Sequence, residues 1–282
     1  MKFLVLVLLF CSTLAFSQVE AYRLYNSKGK KVSFEKMVKK LTDKEVVLFG
    51  ELHNNPIAHW MQLKLVQELH QQNAIALGAE MIEADDQKHL DLYLSDSINY
   101  TAFDSLARLW TNHKTDYQPL VDFAKENNID FVAANIPRRF ASLVYKNGFE
   151  KLESLTAEEK EWVASLPVPY DPELPGYKAM LTMMSDHANP NFPKAQAIKD
   201  ATMAHFIVKH YEAHKKQFIH FNGAYHSQNY EGIYWYLQQY QPELTIGTIT
   251  TVLQSDVTKL LDENKELADY ILVVDEDMTT TY

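Results

Sequence analysis

Short apolar runs and helix-patterned stretches take turns along this chain, and that alternation restricts the fold more than any other feature. The run VVLF at 46–49 is followed, from Pro56, by Ile57, Trp60, Met61, Leu63, Leu65, Val66 and Leu69 at helical spacing, with the proline suited to a first turn. AIALGAEM at 74–81 precedes a polar helix near 85–94, and DFVAAN at 130–135 precedes Pro137 and a helix through Tyr145. Further apolar runs stand at 217–223, 244–253 and 270–277. Strands separated by helices pair in parallel and carry the helices on the faces of the sheet. The spacing therefore predicts an α/β fold with a mostly parallel central sheet of five or six strands flanked by helices. Near the start, YRLYNSKGKKVSF reads as an exposed hairpin turning at Gly29. From 150 to 215 the pattern becomes helical, which predicts a smaller α-helical subdomain. Thr156 with Glu159 makes a capping box there, and the proline-rich LPVPYDPELPGY leads to a long helix from about Pro193 to Lys215.

The first residues, MKFLVLVLLFCSTLAFSQ, combine one lysine, an apolar stretch and small residues at Ala15 and Ser17, the layout of an export signal cut after Ser17. The apolar stretch is shorter than the roughly 20 residues a membrane span needs. A lipid anchor on Cys11 fits less well, because the bulky Phe10 precedes it. Residues 18–282 then form one α/β domain that carries the helical addition. Cleavage removes Cys11, the only cysteine, and with it disulfides, thiolate nucleophiles and cysteine-held metals. A net charge of −10 without a cluster of Lys and Arg argues against nucleic acid as a partner.

In open α/β sheets ligands bind beyond the carboxyl ends of the strands, where loops from different strands meet. Those ends hold Gly50-Glu51-x-His53, Glu80, Asn135 followed by Arg138, and Gly223-x-x-His226. Each residue alone has a plain structural role open to it, such as capping the next helix. Together they predict one built site at a shared sheet edge. His59 lies near the start of the following helix and either joins the site or caps the surface. On the long helix, Gln196 and Asp200 share a face and can lend polar groups. His210 and His214 have metal-ligating spacing, but no HExxH accompanies them and Lys215 and Lys216 follow, so they read as a solvated face. Tyr170, Tyr177, Met180, Met183, Met184 and His187 cluster around the proline-rich link. They suit either a core or a flat apolar ligand such as haem, for which a tyrosinate is one known axial ligand.

GELHNNPIAHWMQLKLV, LGAEM, AANIPRR, AQAIKDATMAH and NGAYH, in that order from about 46 to 230, resemble the ChaN-like family of haem-iron binding and uptake proteins. That family is a branch of the superfamily that includes the Tiki and erythromycin-esterase-like proteins. The resemblance implies an exported or outer-membrane-associated haem-binding protein, a homodimer with facing haems, and a haem receptor as partner. It carries over Glu51, His53, Glu80, Arg138, Gln196, Asp200 and His226, and by family analogy a tyrosine ligand, for which Tyr170 or Tyr177 is nominated with Met184 and His187 nearby. Ala188 after His187 departs from the glycine expected in relatives. The same resemblance supplies the alternative, a Glu/His-dependent esterase or peptidase in which Glu51, His53, Glu80 and His226 either act as acid–base residues or hold a divalent metal that activates water.

Overall fold

The computed structural model describes residues 20–183 and 189–282. Residues 1–17, read as an export signal, lie outside the described residues, as do Met184 and His187. The described strands are β1 (Tyr22–Asn26), β2 (Val46–Glu51), β3 (Ile75–Glu83), β4 (Asp130–Asn135), β5 (Gln217–Gly223), β6 (Ile246–Gln254) and β7 (Tyr270–Asp275). The described helices are α1 (Phe34–Leu41), α2 (Pro56–His70), α3 (Gln87–Leu94), α4 (Tyr100–Leu106), α5 (Gln118–Glu126), α6 (Arg138–Asn147), α7 (Ala157–Lys160), α8 (Pro175–Met183), α9 (Phe192–His214) and α10 (Ile233–Tyr240).

All seven strands join one sheet in the order β1-β7-β6-β2-β5-β3-β4. Every pairing is parallel except β1 with β7, so the α/β class expected from the alternation is the one observed. The expected N-terminal hairpin does not form. Its turn at Gly29 is present, but the second arm shrinks to a single bridge between Tyr25 and Lys31, and the first arm pairs with β7 across the chain. Tyr25 gives the reason: it is 1% exposed and its hydroxyl donates to the carbonyl of Val257 at 2.6 Å. Burying that ring against a distant segment outweighs a short polar hairpin.

The period-two pattern of the strands divides their side chains between two helical layers. Val47, Phe49, Leu77, Phe131, Ile219 and Phe221 face a core with Met61, Leu65 and Leu69 of α2 and Leu120 and Val121 of α5. Val46, Leu48, Ala76 and Phe218 face the opposite way, toward Ala197, Ala201, Ala204 and Ile207 of α9 and Tyr236 and Leu237 of α10. Covered on both sides, β2 is buried at every position. Within the stretch expected as a helical addition, α9 therefore packs onto the sheet itself. The capping box forms, with Glu159 N donating to Thr156 Oγ1 at 3.2 Å and Thr156 N donating to Glu159 Oε2 at 2.9 Å.

The open edge of β4 is covered by a side chain. The Gln87 amide donates to the Phe131 carbonyl at 2.9 Å and accepts from Ala133 N at 2.6 Å, completing bonds that a further strand would otherwise make. His210 also turns to this edge, contrary to the solvated face expected for it. Its Nε2 lies 3.2 Å from Asp130 Oδ2, and its side chain is only 12% exposed.

Gly50, in the centre of the sheet, has no room for a side chain. A Cβ there would lie 2.9 Å from the Cα of Ala224 and 3.2 Å from the carbonyl oxygen of Ile249, both backbone atoms that cannot swing aside. Gly50→Ala should therefore destabilise the fold by about 2 kcal/mol, read as a fall of several degrees in Tm, whereas an unchanged Tm would mean that these strands spread freely.

Candidate functional site

β5 lies between β2 and β3, so three adjacent strands end side by side. Glu51 is in register with Gly223, while the pairing of β3 with β4 slips between Ala79 and Glu83. Glu80 stands in that irregular stretch, and its carboxylate reaches across to accept from Gly223 N at 2.7 Å. The Asn135 amide, at the end of β4, donates to the Glu80 carbonyl at 2.9 Å and fixes the bend. A Cβ at Gly223 would meet His53 Nε2 at 2.8 Å, so a side chain there would displace the His53 ring.

Two carboxylate–imidazole groups result. In the first, Glu51 is fully buried and receives His53 Nδ1 at 2.9 Å, the Tyr117 hydroxyl at 2.6 Å and the Gln62 amide. This contact directs His53 Nε2 away from Glu51 and toward Gly223 and the open cleft. Burial opposes charge on His53, but its hydrogen bond to Glu51 and the nearby Glu80 charge outweigh it, so its pKa is raised. His59 backs the group, with Nε2 3.1 Å from the His53 carbonyl and 3.5 Å from Asp116 Oδ2. Asn112 donates to that same carbonyl at 3.1 Å and to Asp116 at 2.7 Å.

In the second group His226 stands between two carboxylates, with Nε2 3.1 Å from Glu80 Oε1 and Nδ1 2.5 Å from Asp200 Oδ1. The Gln196 amide lies 2.9 Å and 3.2 Å from the two ring nitrogens, alongside the ring. Burial disfavours the imidazolium, yet the charges of Glu80 and Asp200 push the His226 pKa up to about 10. Glu80 is likewise penalised by burial, but the His226 cation holds its carboxyl well below the usual range. Asp200 moves upward, because burial and the Glu80 charge outweigh the pull of His226. These shifts favour an ionised Glu80 paired with a protonated His226.

Above both groups opens a cleft of about 660 Å³. Its floor is Glu51, His53, Glu80 and His226, and its walls include Leu52, Met180, Phe192, Tyr225 and Tyr282. His53, with its side chain 32% exposed, turns Nε2 to this space, and Tyr225, 37% exposed, lines it with its ring while its hydroxyl donates to the Gly176 carbonyl. Among the described residues no three His, Cys, Asp or Glu side chains converge as they would around a metal ion.

A sequence model of a protein family, described as haem-binding uptake, Tiki superfamily, ChaN, matches residues 37–237. The chain belongs to this family. No curated protein matches its sequence. Among solved structures, ChaN of Campylobacter jejuni, described with cofacial haem binding, superposes with a TM-score of 0.68 at 20% identity, covering 90% of this chain and 97% of that one. A type III effector gives a TM-score of 0.51 at 15% identity, covering 86% of this chain and 93% of the other. An erythromycin esterase mutant in its open conformation gives 0.50 at 9% identity, covering 83% and 77%. At such identities these likenesses establish a shared fold.

In this ChaN-family chain, Glu51, His53, Glu80, Gln196 and His226 line one cleft, as their positions at strand ends and on α9 led one to expect, while Asp200 is buried behind His226. His59 joins them from behind. Arg138 instead lines an adjoining hollow. The two nominated tyrosines do not face the cleft: Tyr177 is 4% exposed and stacks on Tyr170 at 5.5 Å within the α9 and α10 core, where burial pushes its hydroxyl far up. Tyr225 takes their place as a tyrosine on the cleft, and Met180 stands there too. The sequence reading missed Gln62, Asn112, Asp116 and Tyr117. Only Gln62 carried a signal, as an amide on the apolar face of α2 between Met61 and Leu65.

The charge state gives a testable pH dependence. A histidine whose pKa rises on folding contributes stability that is complete below its unfolded value, 6.5, and is lost as the pH climbs toward about 10. The Tm of the wild-type chain should therefore fall across that window. In Glu80→Gln the fall should flatten, and the NMR titration of His226 should move down toward the ordinary histidine range; an unmoved titration would remove Glu80 as the cause.

Proposed function

We propose that this chain binds haem in the cleft over the carboxyl ends of β2, β3 and β5, as an exported protein of haem-iron uptake. The observation that carries this reading is the cleft itself: an opening of about 660 Å³ with apolar walls and a polar floor, in a chain of the ChaN family. That size and lining suit a large ligand with an apolar body. Bound haem would supply the iron chemistry. The chain's own residues have separate places: Leu52, Met180 and Phe192 exclude water from the apolar body, and the Glu51–His53 and Glu80–His226 pairs form the polar floor beneath it without holding the ligand. Tyr225 is proposed as the tyrosine that faces the iron. Its hydroxyl now donates to the Gly176 carbonyl at 2.8 Å, and burial together with Glu231 and Asp200 keeps its proton on. Pairing of two chains across this open face, and delivery from or to an outer-membrane haem receptor, complete the proposal.

One observation favours a second reading. Glu51 fixes His53 by Nδ1 and leaves Nε2 toward the cleft, the arrangement of an oriented general acid–base. Under this alternative the reaction is ester or peptide hydrolysis with His53 as the proton carrier. His226, held protonated, would act as a fixed positive charge rather than as a base.

The two readings separate in one titration of residues 18–282 with haemin, followed at the Soret band. Haem binding predicts a saturable shift that survives His53→Ala and weakens by about tenfold or more in Tyr225→Phe, with Tyr170→Phe as a silent control. Absence of any saturable shift would overturn the haem reading. Ester or peptide turnover abolished by His53→Ala would then establish the hydrolase.

A further inference from the structure

Beside the cleft lies a second hollow, of about 610 Å³, lined by Glu83, Arg108, Leu109, Trp110, Arg138 and Tyr282 among others. Tyr282 lines both spaces, and Trp110 packs edge-on against His53 with ring centroids 4.8 Å apart. The two hollows thus meet at Tyr282 and at the contact of Trp110 with His53. Tyr282 is stationed between them by its neighbour Thr281, whose N donates to the Asn54 carbonyl at 3.0 Å and whose hydroxyl donates to Asp116 at 2.7 Å.

Three arginines line this hollow, and two are already engaged. Arg108 pairs with Glu83 at 3.1 Å, with Asp86 at 2.9 Å and with Asp85. Arg139 pairs with Asp85 at 2.5 Å and lies over the ring of Phe140 at 4.4 Å. Arg138 is exposed, and among the described residues no carboxylate lies within 4.0 Å of its guanidinium. A planar fork of donors without an internal partner, facing a hollow with an aromatic wall, has the chemistry to hold a carboxylate by charge-assisted hydrogen bonds.

We propose that this hollow is an anion subsite for the ligand of the cleft, and that Arg138 binds a carboxylate carried by that ligand. The inference rests on the haem reading for the ligand's apolar body, since haem joins a flat apolar ring to two propionate arms. It makes the cleft and the arginine hollow one two-part site, with the ring in the first and a propionate in the second. Trp110 and Tyr282 form the wall along which the arm passes.

The test compares haemin with haemin dimethyl ester, whose propionates are uncharged, on wild type, Arg138→Ala and Arg138→Lys. Arg138→Ala should weaken haemin by about tenfold and leave the dimethyl ester unchanged, and Arg138→Lys should recover part of the loss. Equal effects on both ligands, or none on either, would overturn the subsite. A second measurement is independent of haem: the arginine Nε–Hε NMR signals of the wild-type chain are followed during titration with sodium propionate. A saturable shift of the signal that is missing in Arg138→Ala supports the subsite even if haemin fails to bind, an outcome that would sink the haem reading alone. Propionate that leaves this signal in place overturns the subsite whatever haemin does.

Discussion

The insertion of β5 between β2 and β3 is the constraint on which the site depends. Parallel pairing brings their carboxyl ends to one edge of the sheet, and the register sets Glu51 opposite Gly223. The single hydrogen bond from Gly223 N to Glu80 then draws the irregular end of β3 toward β5. With strands in chain order, Glu51 and Glu80 would adjoin directly, and the loop carrying His226 would lie elsewhere. The absence of a side chain at Gly223 matters equally, because His53 occupies the space a Cβ would fill.

Once these ends meet, electrostatics governs their character. Buried charges are tolerated when paired and hydrogen-bonded, and here each imidazole has a carboxylate within hydrogen-bond distance. The pairing is unequal. His226 is enclosed by Glu80 and Asp200, whose charges favour its protonated form, whereas His53 keeps one nitrogen toward the cleft. The tight bracing of Glu51 by Tyr117 and Gln62 holds the carboxylate that orients His53.

The division between polar floor and apolar wall explains why haem binding and hydrolysis are both chemically sensible outcomes of this architecture. The floor comes from strand ends, whose backbone geometry is stiff. The walls come from α8, α9 and the segment after β7, including Met180, Phe192 and Tyr282. The family match stops at residue 237, so Tyr282 lies beyond it. The wall between the two hollows thus combines Trp110 from the matched region with Tyr282 from the segment after β7.

Periodicity and punctuation by themselves determined the parallel core and most of the polar floor. Alternating runs mark strands wherever both faces are covered, and a glycine or acid at the end of such a run marks a turn toward the ligand side. Glu51, His53, Glu80 and His226 were legible for that reason, as was Asp200 one helical turn beyond Gln196. What tertiary structure alone decided is which chemically similar residues face the opening. Tyr170 and Tyr177 look like ligands in sequence but bury more apolar surface by stacking in the core, while Tyr225 is turned to the cleft. Tyr117 and Asn112 reach the site from a stretch without repeating pattern, and β1 abandons its local hairpin for a distant partner. Local sequence records which face of an element is apolar, but long-range burial, summed over partners far apart in the chain, chooses what that face meets.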